Sequence, residues 1–469
     1  MQVRNPRTGE FDYIIKPLSR EAVVQKAQTL RKKQHNWLAK DVLKRIAVVQ
    51  DWKEMLVKCK DELIEALYLD TGRKVESFME VEEVLEGIDR WCDSAFHYFH
   101  ASEETFVAHN SFLEIDTEVS PYPLVGIISP CSFPFLLPMR EVIPALLVGS
   151  AVLVKPSELT PRFMKAVAHS LHFVPELNEV LSFVEGDAQT GEALCETCDY
   201  ICFTGSTKVA KEVANRTANH FIPAQINATK KGVAIVTESA DWETVTSAIL
   251  WGSAFNAGQS CASIEAIYVH RNVFPLFLSR LVGKANLLNL AYPTLDSGQI
   301  GPIISEVAAH NLNEQLADAI RKGAKIIAGS SAVEQLGGGN YVRPTILTNV
   351  DHRMKLMTEP TFGPLLPVMT FQDIKDPINW VNTYSPSCDV ALFGNAEEEM
   401  VEIAKKLNVS SVSLNDVGLN IMIGDANFMN FSPAGISDLH LGVAIFRKFL
   451  KKKALITNRA SGKPTWWYD

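Results

Sequence analysis

The chain predicts an α/β protein with two parallel-sheet domains, on three observations. From residue 124 onward, short apolar segments alternate with helical ones. A second alternating set follows from about 229 to 430. At 469 residues the chain exceeds what one compact core holds, so two or three domains are expected.

The elements follow in order. The first hundred residues read as helices. AKDVLKRIAVVQDWKEMLVKCKDELIEALYLDTG (39–72) places apolar residues three and four apart and ends at Gly72, a candidate C-cap. VESFMEVEEVLEGIDRWCDSAFHYF continues the helical pattern, and FLEIDTEVSPYP (112–123) alternates like a strand until two prolines stop it. LVGIIS (124–129), AVLV (151–154), LSFV (181–184) and YICF (200–203) are strands, separated by FLLPMREVIPALL, PRFMKAVAHSLHF and QTGEALCET. Such alternation is the signature of βαβ units, with helices covering both faces of a parallel sheet. GVAIV, EAIYV, RPTILT, LLPVMTF, DVALF and SSVSL form the second set. A polar loop of small residues, NAGQSCAS (256–263), carries Cys261 and falls near the junction of the two sets.

Composition narrows the function. Apolar residues make up 47% and charged residues 21%, which is ordinary for a globular protein. The formal net charge of −9 offers no positive field for nucleic acid or anionic lipid. The apolar runs are too short and too interrupted to span a bilayer, and MQVRNPRTGEFD lacks the apolar stretch of a signal peptide. A cytoplasmic protein is expected, with its eight cysteines reduced. CETCDYIC (195–202) supplies three cysteines but no fourth ligand, so no metal site is expected there. FRKFLKKKALIT (446–457) reads as a helix end leading into a strand, and the aromatic tail PTWWYD as a cap over this chain or a neighbour.

Three segments have the layout of a dinucleotide site. AVLVKPSELTP (151–161) runs from a buried strand into Lys155 and Glu158, at the edge that faces the ligand crevice of a parallel sheet. YICFTGSTKVAKEV (200–213) leads from Phe203 through Gly205 and Ser206 into a helix, whose free amides suit a phosphate. EGDAQTG (185–191) sets Gly186 and Gly191 about a turn but lacks the middle glycine of GxGxxG.

In order and spacing, SPCSFPFLLPMREVIPALLVGSAVLVKPSELTP, FTGSTKVA, FNAGQSCAS and EPTFGPLLPV (359–368) resemble the aldehyde dehydrogenase superfamily, with NPRTGE (5–10) and FSPAGISDLHLG as weaker echoes. The resemblance implies a nicotinamide-dinucleotide-binding domain (1–103 and 122–227), a catalytic domain (228–445), and a β-arm with a C-terminal segment (104–121 and 446–469) that builds homodimers or homotetramers. Cys261 would be the nucleophile, forming a thioester with an aldehyde substrate while hydride passes to NAD. Lys155 and Glu158 match the adenine-ribose ligands, and Glu158 would repel a 2′-phosphate, favouring NAD over NADP. Gly205 and Ser206 match the pyrophosphate contact, and Phe362 the aromatic beside the nicotinamide. An apolar aldehyde is expected from the many Phe residues and the lack of an obvious basic anchor.

Three groups that the family places at the reacting end are exchanged. Cys131 and Ser132 stand where Trp-Asn is usual, leaving Ser132 as the oxyanion donor; loss of one such donor costs roughly 10²–10³ in rate. Asn227, 34 residues before Cys261, holds the place of the general-base Glu, so hydrolysis of the thioester is expected to slow by about 10²–10⁴. Thr229 and Lys230 replace the Gly-Gly that follows, and Pro360 replaces the Glu that clamps the nicotinamide ribose, with Glu359 one residue away. Coenzyme A as the acyl acceptor is one alternative, since some acylating members carry Asn at this place. An impaired family member kept as a scaffold is the other.

Overall fold

The computed structural model describes residues 1–100, 106–107, 113–419, 426–440 and 442–458. Two mixed seven-stranded sheets organise them. In the first sheet, the parallel strands Leu124–Ile128, Ala151–Lys155, Leu181–Phe183, Tyr200–Gly205 and Ala224–Ala228 are joined by right-sized helical crossovers. These strands are buried on both faces, which is why the sequence shows continuous rather than alternating apolar runs. The second sheet has Ile264–His270 at its centre, with Gly232–Val236 between it and Asp389–Phe393. Leu365–Phe371, Thr345–Thr348 and Ser411–Leu414 extend it in parallel, and Lys325–Ala328 closes one edge antiparallel.

Each sheet has its own apolar core. Trp37, Trp52, Phe135 and Phe163 fill the first, with Phe446 and Phe449 joining from the C-terminal segment; Tyr268, Phe277, Tyr341 and Phe393 fill the second. Within the expected catalytic segment 228–445, the strands Asn427–Asn430 and Gly435–His440 lie on the first sheet, through the pairing of Gly435 with Asn227 and Ile436 with Ile226. This return places Asn430 beside Asn227.

The apolar pattern over 39–72 resolves into two helices, Val42–Lys58 and Lys60–Thr71. The chain leaves helical geometry at Cys59, which ends one and starts the other. Gly72 is a left-handed C-cap (φ 73°), as its position suggested. Leu113–Pro121 pairs antiparallel with Leu450–Asn458 along its whole length, making a ribbon that stands largely exposed. The tail PTWWYD lies outside the described residues. No helix among the described residues is long and apolar enough to cross a membrane.

Candidate active site

The loop that carries Cys261 is built by buried amides. Asn256 (φ 55°) and Ala257 (φ 52°) take left-handed backbone, a strained state for side-chain-bearing residues. It is held in place because Asn256 Nδ2 donates to Gln259 O (2.8 Å) and Ser132 O (3.1 Å), while Gln259 Nε2 donates to Asn256 O (3.1 Å) and Pro302 O (3.2 Å). Gly258 (φ 72°) is required for contact: a Cβ there would come within 2.4 Å of the Gly363 backbone. The NAGQ and FGP turns therefore touch, which fixes Phe362 relative to Cys261.

The Phe362 turn rests on one carboxylate. Glu265, fully buried in the strand Ile264–His270, accepts from Thr361 N and Phe362 N, each at 2.8 Å. Lys231 Nζ balances its charge at 3.4 Å and also donates to Glu359 O (3.0 Å) and Thr361 Oγ1 (3.2 Å). Sequence reasoning missed this pair. Its signal was an acidic residue inside the apolar run IEAIYVH, where an isolated charge would be costly.

Cys261, Ser132, Asn227, Phe362, Gly205 and Ser206 line one cavity of about 920 Å³. Burial pushes the Cys261 thiol up, while Lys230 and Arg140 pull it down and Asp389 raises it. Cys131, on the same wall, is pushed up to about 11 by burial. The Ser132 carbonyl accepts from Arg73 Nη2 (2.5 Å) as well as from Asn256, so the segment before the helix Leu136–Val148 is tied to the loop that carries Cys261. Asn227 Oδ1 accepts from Asn430 Nδ2 (3.0 Å), and Asn227 Nδ2 donates to Thr204 Oγ1 (3.4 Å). Pro360 lines the cavity and gives its carbonyl to Gln315 Nε2 (2.9 Å), whereas Glu359 is exposed and lies off the wall.

Two basic residues that the sequence did not offer as anchors, Arg140 and Lys230, also line the cavity. Both face carboxylates: Arg140 lies 4.0 Å from Glu83, and Lys230 Nζ lies 3.1 Å from each Asp389 oxygen.

A second cleft of about 630 Å³ is lined by Lys155, Glu158, Gly191, Phe203, Gly205 and Ser206. Lys155 Nζ meets Glu158 Oε2 at 2.8 Å. Ser206 caps the helix Thr207–Asn219, its Oγ accepting from Val209 N (3.4 Å). Thr204, Gly205 and Ser206 belong to both cavities, so the helix N-terminus stands where they meet. Gly186 is not on either wall. It packs against Thr190, because Asp187 caps the helix Ala188–Thr197 and turns the chain inward there.

Comparison with known proteins bears on this arrangement. The model of the aldehyde dehydrogenase family matches residues 1–437. PutA of Anabaena variabilis, whose own aldehyde dehydrogenase assignment is provisional, has a solved structure that is 43% identical over 100% of both chains, with a TM-score of 0.96. The 4,4'-diapolycopene aldehyde oxidase of Methylomonas sp is 29% identical, covering 96% of this chain and 85% of the relative. Coniferyl aldehyde dehydrogenase of Pseudomonas sp. (strain HR199 / DSM 7063) is 28% identical, covering 87% and 85%. The chain is thus an oxidoreductase that belongs to the aldehyde dehydrogenase family.

Proposed function

We propose that the protein oxidises an extended, apolar aldehyde through a thioester on Cys261, with NAD as cofactor, and that release of the acyl group to water is slow. The observation that carries this reading is the joined pair of cavities. Cys261 and Phe362 lie in one, the Lys155–Glu158 pair in the other, and the N-terminus of Thr207–Asn219 at their meeting point.

These residues fit a nicotinamide dinucleotide. Lys155 and Glu158 offer a donor and an acceptor to ribose hydroxyls, and Glu158 opposes a 2′-phosphate. The helix N-terminus offers amides to a pyrophosphate. A side chain on Gly191 would sit 3.8 Å from Lys155 and narrow the cleft. Bound there, NAD supplies the two-electron acceptor of the oxidation. Cys261 Sγ forms the bond to the carbonyl carbon, and the Ser132 hydroxyl and nearby backbone N–H groups serve the developing oxyanion. Asn227 has no basic atom, so no proton is taken from an attacking water and the acyl group stays on the sulfur.

The cavity wall favours an apolar substrate. Trp251 and Phe255 stack at 4.8 Å and 24°, and Phe255 and Phe133 at 6.1 Å and 22°, giving a slab of rings suited to a long or conjugated chain. Glu76, Glu82, Glu83 and Glu86 on the same lining disfavour an aldehyde that carries a carboxylate. Relatives named for a carotenoid-type and an aromatic aldehyde agree with such a wall. Transfer to coenzyme A is the second reading, favoured by Asn227 alone. The exposed ribbon of Leu113–Pro121 and Leu450–Asn458 is the proposed contact for a homodimer or homotetramer.

Intact mass spectrometry after incubation with NAD and decanal tests the proposal. An acyl adduct on Cys261 that persists in water supports it. Clearance of that adduct only on adding coenzyme A moves the reading to an acylating enzyme. Absence of any adduct, together with no NAD-dependent quenching of Trp fluorescence, overturns it in favour of a scaffold.

A further inference from the structure

Lys230 occupies a place that the chemistry of the site does not explain. It lies three residues after Asn227, in the turn between Ala224–Ala228 and Gly232–Val236, and its side chain is buried. Burying an ammonium is costly unless it is paired and has a role. Its Nζ meets both oxygens of Asp389 at 3.1 Å and stands 5.3 Å from the centre of the Phe428 ring. Asp389 is itself oriented, since Ser411 Oγ donates to its Oδ1 at 2.7 Å. Lys230, Phe428 and Cys261 line the same cavity.

We propose that the Lys230–Asp389 pair sets how much of Cys261 is thiolate, in place of the proton acceptor that Asn227 cannot be. Cys261 is the reacting atom and Lys230 acts on it through its field, while Asp389 is the positioning residue that tethers the ammonium and moderates that field. The thiol proton leaves to solvent through the cavity mouth, and no other bond is made or broken.

Several carboxylates line the cavity beside Arg140 and Lys230, and three charged groups act most strongly on the sulfur. Lys230 and Arg140 favour the thiolate, and Asp389 opposes it. Arg140 comes from the helix Leu136–Val148 and is held among Glu83, Glu141 and Arg90. Lys230 faces Asp389, Cys388 and the sulfur, with Lys231 turned away onto Glu265. Lys230 and Asp389 carry opposite signs and lie against each other, so the two are expected to push the sulfur in opposite directions.

The inference rests on the reading of Cys261 as the nucleophile. Its test measures the pH profile of Cys261 alkylation by iodoacetamide in the cofactor-free protein, localised by peptide mass spectrometry. Lys230→Gln is expected to move the inflection to higher pH, slowing alkylation at pH 7.5 by about tenfold, the equivalent of one pKa unit. Asp389→Asn is expected to move it to lower pH and speed alkylation several-fold. Lys230→Arg should restore the wild-type profile, and the double variant Lys230→Gln with Asp389→Asn, which leaves no unpaired charge, should fall between the singles. A merely structural pair would move both singles the same way or not at all, and either result overturns the proposal. Adducts with NAD and decanal are scored separately. If alkylation follows the charges but no acyl adduct forms, the functional reading fails and the electrostatic one stands; an adduct with charge-independent alkylation does the reverse.

Discussion

The proposed ribose end and the proposed reacting end of the joined cavities are built differently. At the proposed ribose end the groups on the cleft wall are the ones the motifs name: Lys155 on Glu158 at 2.8 Å, with Gly205 and Ser206 at the start of their helix. At the proposed reacting end the contacts join segments far apart in the chain. Glu265 holds Thr361 N and Phe362 N at 2.8 Å each, and Asn256 ties the Cys261 loop to Ser132. There Asn227 hydrogen-bonds to Asn430 and Thr204, and Lys230, buried against Asp389, lines the wall. The Cys261 loop and the Phe362 turn are thus held by buried carboxylate and amide contacts.

If the ends are separable in this way, the largest effect should come from the sulfur alone. Cys261→Ser is expected to lower NADH formation with decanal by at least about 10³-fold, while the fluorescence titration with NAD stays as in the parent. A matching loss of NAD binding would break the comparison, because the two ends would then be one unit. Next in size, Asn227→Glu should raise steady-state turnover by about 10²-fold and remove the burst that a slow thioester step leaves, as read by stopped-flow absorbance. Asn430 Nδ2, now 3.0 Å from the amide oxygen, would donate equally well to the new carboxylate. Unchanged turnover would show that release of the acyl group is not what limits this protein.

The difference between the ends also governed how much could be read from the chain. Both sheets were legible because doubly covered parallel strands leave unbroken apolar runs, and GVAIV and AVLV are such runs. The individual residues Lys155, Glu158, Ser206, Cys261 and Phe362 were legible because short motifs hold them at fixed distances along the sequence. What brings distant segments together was not. Asn430 reaches Asn227 only because Gly435–His440 pairs antiparallel with Ala224–Ala228, a long-range pairing that no local period encodes. Lys230 looked like the loss of a glycine, since its partner Asp389 lies 159 residues away. Glu265 had a signal, a carboxylate inside an apolar strand, but its partners come from a turn almost a hundred residues on. The break at Cys59 escaped notice because the apolar spacing runs through it.

Smaller effects sharpen the ribose end. Glu158→Gln keeps the shape of the side chain but removes the charge paired with Lys155. It is expected to weaken NAD binding by about tenfold, as loss of a charged hydrogen bond would, and to narrow the preference for NAD over NADP. Alkylation of Cys261 should be unaffected, since Glu158 is not among the charges that face the sulfur. A changed alkylation rate would mean that the ends communicate.

The smallest effect belongs to Gly186, which the motif placed with the cofactor and the fold does not. A methyl group there would come within 2.3 Å of the Thr190 side chain, whose hydroxyl donates to Leu18 O at 3.1 Å. Gly186→Ala must therefore displace Thr190 and strain the start of the helix Ala188–Thr197, at a cost of about 1–3 kcal/mol from overpacking. The expected result is a melting temperature lower by a few degrees, with NAD affinity within about twofold of the parent. The sign of the disagreement would be informative. A variant that melts normally but binds NAD poorly would put Gly186 on the ligand's path after all, and would extend the ribose end beyond the wall that Gly191 and Lys155 now define.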